Sequence, residues 1–358
     1  MDNRGLIFIP DISGFTRFVN ETEIEHSRYI IQELLEILVN ANQIGLEISE
    51  IEGDAILFYK YGEAPPLKEI YAQVEKMFCA FHRHLAAYER RRICQCSACK
   101  TAISLTVKVI THYGEFTGYN VKNFSKLIGK DIILAHQLLK NDIDQHEYWL
   151  ITDPLLQNNT SSTLPAWVNW SSSAKQTETG AINFNYTQLG PLKENLPPDS
   201  PPDLEMKNKV KMFSVNKIID SEINTLFTTA LDFSRRKLWQ VGVKEISEVT
   251  EGLPQIGTHH RCVLERGHVD MYTSSYSYSA DKIVYTETDE KKKSSGRFTF
   301  EKINENSTSA TFDFFLKNDF VMMTMFRLFM KKKFEKAMQQ SLEKLAEMVN
   351  LAPSLAEV

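Results

Sequence analysis

The feature that most constrains the fold of this 358-residue chain is a proline-rich, highly charged stretch from Gly190 to Lys211. Proline fixes one backbone angle and removes a hydrogen-bond donor, so a stretch of this kind joins domains rather than filling a core. The segments on either side are each long enough to bury a core, because domains usually hold about 100–200 residues. The sequence therefore predicts two domains, residues 1–189 and 212–350, joined by a linker at 190–211.

Composition narrows the functional classes. Hydrophobic residues make up 42% and charged residues 24%, which is typical of a globular protein, and the formal net charge of −5 argues against a nucleic-acid-binding domain. No apolar run reaches the length of a membrane span, and the amino terminus lacks the pattern of a signal peptide. Five cysteines suit a reducing cytoplasm better than a disulfide scaffold. We expect a cytoplasmic protein that binds neither nucleic acid nor a membrane.

The first half of the chain alternates strand and helix patterns. The order strand, helix, hairpin, helix, strand, helix, strand predicts an α+β sheet of the ferredoxin-like, split βαβ kind with helices on one face. Residues 158–181, rich in serine, threonine and asparagine, are expected to form a loop or an irregular insertion. The predicted elements are a strand at 5–12, a helix at 24–42, a hairpin at 46–61, a helix at 67–91, a strand at 101–111, a helix at 130–140 and a strand at 147–152.

The second half is richer in strand patterns. It is expected to form an antiparallel sheet that closes on one long helix. The predicted strands are 212–219, 243–249, 258–265, 269–279, 282–288, 295–304 and 309–316, with short helices near 222–230 and 233–239 and the long helix at 320–349.

Two aspartates are candidates for a cation site. Asp11 ends the first strand, and Asp54 follows Gly53 in the hairpin turn. Carboxylates at adjacent strand ends suit a hard divalent cation such as Mg²⁺, and phosphoryl chemistry uses such cations to stabilise oxygen charge. Spacing alone equally allows an ordinary turn aspartate beside one that leads into a helix.

The surrounding residues carry a resemblance. PDISGFTRF at Pro10–Phe18 and EGDAILF at Glu52–Phe58 resemble the class III adenylyl/guanylyl cyclase catalytic domain, where a D-I-x-G-F-T segment precedes a G-D-A hairpin. Thr111–Glu115 (THYGE) looks like a further segment of that family. The resemblance covers residues 5–190. It implies a ferredoxin-like cyclase-homology domain in which Asp11, the Ile12 carbonyl and Asp54 hold Mg²⁺ or Mn²⁺.

Four positions depart from the family pattern. The two residues that read the purine correspond to Glu50 and Lys126, the transition-state asparagine to Ile133, and the phosphate-binding arginine to Gln137. Isoleucine donates no hydrogen bond and glutamine brings no charge, and each such loss typically costs about 10²–10³ in rate. The family builds its sites at a dimer interface. The resemblance therefore implies a homodimer that cyclises poorly, or one half of a heterodimer with a complementary cyclase chain.

A cluster of cysteines and histidines suggests a second metal. Thiolates and imidazoles at short spacing suit tetrahedral Zn²⁺, and a metal here would stabilise a loop rather than catalyse a reaction. The alternative is ordinary reduced cysteines in a tight turn. The candidate ligands are Cys79 and His82 on the second helix, and Cys94, Cys96 and Cys99 in the turn after it.

The element pattern of residues 210–350 resembles the START-like, polyketide-cyclase-like (SRPBCC) family with its helix-grip fold, although no motif supports it. The resemblance implies a cavity for a small apolar ligand. The alternative is that the aromatic residues simply fill the core. The candidate lining residues are Trp239, Tyr276, Tyr278, Phe298, Phe300, Phe312 and Phe314.

These observations favour a regulatory or sensory protein. Its first domain would bind a divalent cation and a nucleotide without efficient cyclisation, and its second would bind a small apolar ligand. One alternative is an active nucleotidyl cyclase or other phosphoryl-transfer enzyme, in which Glu50 and Lys126 act as a swapped recognition pair. Another is a hydrophobic-ligand carrier whose first domain serves dimerisation.

Overall fold

The computed structural model describes residues 3–157, 164–177, 180–197, 203–248 and 255–351. The chain divides into two compact units, Met1–Arg90 with Gln95–Ser200 and Arg91–Cys94 with Pro201–Val358. Both units combine helices with a β-sheet, so the predicted α+β class is confirmed. Within the described ranges, no helix has both the length and the apolar character needed to cross a bilayer.

The first unit follows the predicted order of elements, with two additional pairs of strands. The first pair, β5 and β6, forms a separate small sheet, and the second, β8 and β9, extends the main sheet. Strand β8 lies within residues 158–181, so the prediction of a loop or an irregular insertion is wrong for Ser171–Thr177. The elements are β1 (Arg4–Ser13), α1 (Phe15–Glu21), α2 (Ile24–Asn40), β2 (Glu47–Glu52), β3 (Ala55–Tyr61), α3 (Leu67–Arg91), α4 (Ser97–Thr101), β4 (Thr106–Glu115), β5 (Thr117–Val121), β6 (Phe124–Ile128), α5 (Lys130–Leu139), β7 (Tyr148–Thr152), α6 (Asp153–Gln157), β8 (Ser171–Thr177), β9 (Gly180–Gln188) and α7 (Gly190–Glu194).

The main sheet has the strand order β2-β3-β1-β4-β7-β9-β8 among the described residues. Strand β1 lies between β3 and β4 and is antiparallel to both, whereas β4 and β7 are parallel. Because β1 pairs with β3 on one side and with β4 on the other, both neighbouring strands fix the position of the residues at its end.

Helices cover both faces of this sheet, which corrects the expectation of one covered face. Ile132 of α5 packs into a core that includes Leu150 of β7. The ring of Tyr71 in α3 lies 6.3 Å from that of Trp149, the preceding residue of β7. Neighbouring strand residues point to opposite faces, so α5 and α3 lie on opposite sides. Strand β1 is apolar and is buried from Gly5 onward. This pattern is the sequence signal of a strand covered on both faces, because a strand with one exposed face alternates apolar and polar residues.

The second unit is an antiparallel sheet with the strand order β10-β16-β15-β14-β13-β12-β11. Its long terminal helix contributes Met338, Leu342 and Leu345 to a core shared with the sheet. The predicted sheet with one closing helix is therefore present. The elements are β10 (Lys209–Ile219), α8 (Ile223–Leu231), α9 (Phe233–Trp239), β11 (Val243–Glu248), β12 (His259–Leu264), β13 (His268–Tyr278), β14 (Lys282–Asp289), β15 (Ser294–Asn304), β16 (Ser307–Lys317), α10 (Phe320–Met325), a π-helical turn (Phe326–Met330) and α11 (Lys331–Leu351).

Candidate functional site

Backbone pairing places Asp11 and Asp54 at the same end of the main sheet. Asp11 is in register with Ala55, the first residue of β3, and Asp54 immediately precedes that residue. Gly53 has a φ of 62°, a left-handed conformation that glycine adopts at little cost and that the tight turn before β3 requires. The Ile12 N–H donates to the Asp54 carbonyl oxygen over 2.9 Å. The two aspartates are thus brought together by the sheet itself.

The charges at this end of the sheet are only partly balanced. Burial, together with the nearby Asp11 carboxylate, raises the pKa of Asp54 to about 6. Burial also raises the pKa of Asp11, although Lys108 opposes that rise. Lys108 stands opposite Asp11 on β4, with its Nζ 3.2 Å from Asp11 Oδ1. One ammonium group therefore lies beside two carboxylates, of which Asp11 is buried and Asp54 is partly buried.

A cavity of about 900 Å³ opens beside these aspartates. It brings together six of the seven residues at which the cyclase resemblance places metal or nucleotide contacts, and Lys126 contacts one of them, Glu50. The six are Asp11, Ile12, Glu50, Asp54, Ile133 and Gln137.

The two positions that correspond to purine recognition form an ion pair. The Lys126 ammonium group on β6 contacts the Glu50 carboxylate on β2 and lies 4.0 Å from Glu52 Oε1. Compared with the pattern that the resemblance implies, the lysine has moved from one position of the pair to the other.

The residues present fit one divalent cation. Asp11 and Asp54 offer carboxylate oxygens, the ligands that Mg²⁺ and Mn²⁺ prefer, and their raised pKa values show that nearby cations compensate their charge incompletely. Lys108 already contributes one positive charge. The negative charge that remains after Lys108 is counted is balanced better by one divalent cation than by two.

Basic residues that the sequence analysis missed also line the cavity. Arg17 lies on α1, Lys140 is the C-cap residue of α5, and His136 lies one helical turn before it. Lys140 has a sequence signal, because it follows His136 at helical spacing. Lys108 has none, because only the pairing of β1 with β4 brings it opposite Asp11. The two lysines and Arg17 supply positive charge in a cavity whose Gln137 supplies none.

The cysteines form a cluster with a different membership from the one predicted. His26 of α2, Cys94, Cys96 and Cys99 place one potential ligand atom each within 4.8 Å of one another. Cys96 Sγ lies 3.2 Å and Cys99 Sγ 3.5 Å from His26 Nδ1.

Cys79 and His82 lie outside this group. His82 Nε2 is 3.2 Å from Thr106 Oγ1. Burial lowers the pKa of His82 to about 4, which describes a neutral core histidine. His26 was missed because it stands 70 residues before Cys96, so no short motif links the two.

The aromatic candidates of the second unit mostly pack as core. Trp239, Phe298, Phe300 and Phe312 are buried, Tyr276 and Phe314 are partly buried against them, and Tyr278 is 38% exposed and donates to Asn224. The space beside Phe298 and Phe300 measures about 10 Å³. That is roughly the space that one water molecule needs. The expectation of a ligand-sized cavity at this place therefore gains no support.

Comparison with known proteins identifies relatives of unknown role. A family described as "Protein of unknown function (DUF2652)" matches residues 31–148. The uncharacterized protein Rv2561/Rv2562 of Mycobacterium tuberculosis (strain ATCC 25618 / H37Rv) is 30% identical over 125 residues. That match covers 35% of this chain and 58% of the relative, so the chain spans somewhat over half of the relative's length.

Solved structures with a similar fold include cyclase domains. The catalytic core of a rhodopsin-guanylyl cyclase with converted specificity, in complex with ATPalphaS, is 15% identical with a TM-score of 0.38 and matches over 52% of this chain and 95% of its own. A bacterial light-regulated adenylyl cyclase is 14% identical with a TM-score of 0.38, over 52% of each chain. The guanylate cyclase domain of RhGC from Catenaria anguillulae, in complex with GTP, is 13% identical with a TM-score of 0.35, over 52% and 96%. Because these TM-scores are low, the function proposed below rests on the residues of this chain.

Proposed function

We propose that the first unit is a catalytically degenerate class III cyclase-like domain, which binds one divalent cation and a nucleotide through the cavity beside Asp11 and Asp54. The observation that carries the proposal is the pair of carboxylates, one buried and one partly buried, that the register of β1 and β3 holds together. The motifs around both aspartates, which resemble those of the cyclase family, support the same conclusion.

Cation binding at this place would relieve an electrostatic cost. With both carboxylates ionised, Asp11 and Asp54 repel each other in a partly desolvated setting, and Lys108 compensates only part of that charge. When bound, the cation would bring positive charge to the oxygens of a nucleotide's phosphates. Arg17 and Lys140 line the same cavity and would add charge for a polyphosphate.

The groups needed for cyclisation are missing. Ile133 is 60% exposed and lines the cavity, but its side chain donates no hydrogen bond. Gln137 lies one turn further along α5 and carries no charge. Loss of a transition-state donor typically lowers the rate by about 10²–10³. We therefore expect nucleotide binding with little or no turnover by this chain alone.

The alternative, an active nucleotidyl cyclase, is favoured by one observation. Glu50 on β2 and Lys126 on β6 are in contact although the two strands belong to different sheets. The two positions therefore remain paired, with their charges reversed relative to the family pattern. A carboxylate there would accept hydrogen bonds from the ring N–H and the amino group of a guanine edge, and the ammonium group would donate to a carbonyl oxygen or a ring nitrogen of the base.

A regulatory role for the whole chain remains part of the proposal. The antiparallel strand order of the second unit and the packing of α11 against its sheet support a START-like, helix-grip fold. A small apolar ligand would require the aromatic core to open, since the space beside Phe298 is about 10 Å³.

A homodimer, or a heterodimer with a complementary cyclase chain, is expected from the resemblance, and sedimentation measures which forms.

Binding of fluorescent ATP and GTP analogues in the presence of Mn²⁺, together with an assay for cyclic nucleotide, tests the proposal. Asp54→Asn removes a cavity carboxylate, and Asp142→Asn, an exposed aspartate of the same unit, is the matched control. Binding that Asp54→Asn abolishes and Asp142→Asn preserves, without product, supports the proposal. Cyclic product that disappears in Asp54→Asn supports the active cyclase instead. Absence of cation-dependent binding refutes both.

A further inference from the structure

We propose that His26, Cys94, Cys96 and Cys99 bind one Zn²⁺ ion as a structural site. The site is separate from the cavity at Asp11, which offers oxygen ligands, and it uses residues that the proposed function leaves unexplained.

The spacing of the potential ligand atoms matches a tetrahedral zinc ion. Zn–S bonds of about 2.3 Å and Zn–N bonds of about 2.0–2.1 Å separate neighbouring ligand atoms by roughly 3.5–3.8 Å in a tetrahedron. Cys96 Sγ and Cys99 Sγ lie 3.2 and 3.5 Å from His26 Nδ1, and the four atoms all lie within 4.8 Å of one another. Binding therefore requires shifts of only a few tenths of an ångström at His26.

The chemistry of the donor set selects zinc. Three sulfurs and one imidazole nitrogen form a Cys₃His set, which is a closed, four-coordinate arrangement typical of structural zinc and unsuited to Mg²⁺ or Ca²⁺. The Cys99 backbone N–H donates to Cys96 Sγ over 3.4 Å. Such a bond within a Cys-x-x-Cys turn stabilises the charge of a thiolate, the form that binds a metal.

The position of the site shows what zinc would stabilise. His26 lies in the first turn of α2, and Cys96 is the N-cap residue of the short helix α4. Glu23, just before α2, accepts hydrogen bonds from the backbone N–H groups of Ser97 and Ala98 over 3.3 and 3.1 Å. A metal bound by both segments would add to these hydrogen bonds and to the burial of Ala98 and Cys99 in α4.

Metal analysis of the full chain, purified without added zinc, tests the proposal. We expect equimolar zinc in the wild type, a loss of most of it in Cys96→Ser and in His26→Ala, and full retention in Cys79→Ser. Cys79 is the matched control because it is a half-buried cysteine outside the cluster. A wild-type protein without zinc, or zinc retained in both Cys96→Ser and His26→Ala, would overturn the assignment.

A second measurement avoids dependence on variants that fail to fold. After zinc is removed with a chelator, Co²⁺ is added to the wild type and the visible spectrum is recorded. Thiolate-to-cobalt charge transfer with intense bands of tetrahedral cobalt supports the site, and a spectrum of weak octahedral bands contradicts it. The Asp54→Asn variant is expected to keep its zinc, so failure of the nucleotide-binding proposal would leave this result unchanged.

Discussion

Replacement of Asp54 by asparagine is predicted to stabilise the first unit while abolishing its binding of divalent cations. Asparagine has nearly the same shape but carries no charge, so it removes the repulsion between two carboxylates that burial has already destabilised. Functional sites often hold groups that destabilise the fold, and a gain in stability on their removal shows that the site has this cost.

The magnitude follows from the pKa of Asp54. Its rise from an ordinary value near 3.8 to about 6 would correspond to about 3 kcal/mol at ~1.36 kcal/mol for each pH unit, and because the side chain is only partly buried, solvent screening reduces the expected effect to roughly 1–2 kcal/mol. The folded state holds this proton more tightly than the unfolded state does, so wild-type stability decreases as the pH rises from about 4 to about 6. Compared with the wild type, Asp54→Asn should unfold with a free energy roughly 1–2 kcal/mol higher at pH 7.5 and only a few tenths of a kcal/mol higher at pH 4.

Saturating Mn²⁺ should reverse most of this difference. A ligand at about 100 times its dissociation constant stabilises the folded state by about 2.7 kcal/mol, and only the wild type retains both carboxylates. Hydrogen exchange of peptides from β1 and β3 reports on the first unit separately from the second. Asp142→Asn serves as the control and should behave like the wild type under all conditions. If Asp54→Asn is less stable than the wild type at pH 7.5, or if its gain is the same at pH 4, the reasoning about this carboxylate pair is wrong.

Three further predictions concern the same cavity and the core of the second unit. The double variant Ile133→Asn with Gln137→Arg should increase Mn²⁺-dependent formation of cyclic nucleotide by about 10²–10³ for each restored group, and an unchanged rate would show that the scaffold lacks more than these two donors. Lys108→Met should tighten Mn²⁺ binding by about tenfold or more in calorimetry, because it removes an ammonium group 3.2 Å from a ligating carboxylate, and weaker binding would identify the lysine as part of the site instead. Arg236→Met should lower the free energy of unfolding by about 3–5 kcal/mol in urea, because the buried Glu287 carboxylate 2.6 Å from Arg236 Nη1 loses its charged partner. Adding Glu287→Gln should recover part of that loss, and no recovery would show that the arginine acts through packing alone.

Much of the fold could be predicted from periodicity along the chain. The strand expected at residues 282–288 is β14 at Lys282–Asp289, and the helix expected at 67–91 is α3 at Leu67–Arg91. Strand β8 (Ser171–Thr177) was missed, because its small polar side chains have the composition of a loop. It is formed by pairing with β9, which is a tertiary contribution.

The sequence by itself determined the order of the elements and the placement of Asp11 and Asp54 at strand ends. Both depend on nearby residues, namely hydrophobic periodicity, turn signals and two short motifs that end one strand and begin another. Only the tertiary structure decided which groups surround those aspartates and which residue completes the cysteine cluster. Lys108 reaches Asp11 across a strand pair, and His26 reaches Cys96 from a helix 70 residues earlier. Strand register and helix packing join residues that are distant in the chain, so spacing within one sequence carries no signal for them.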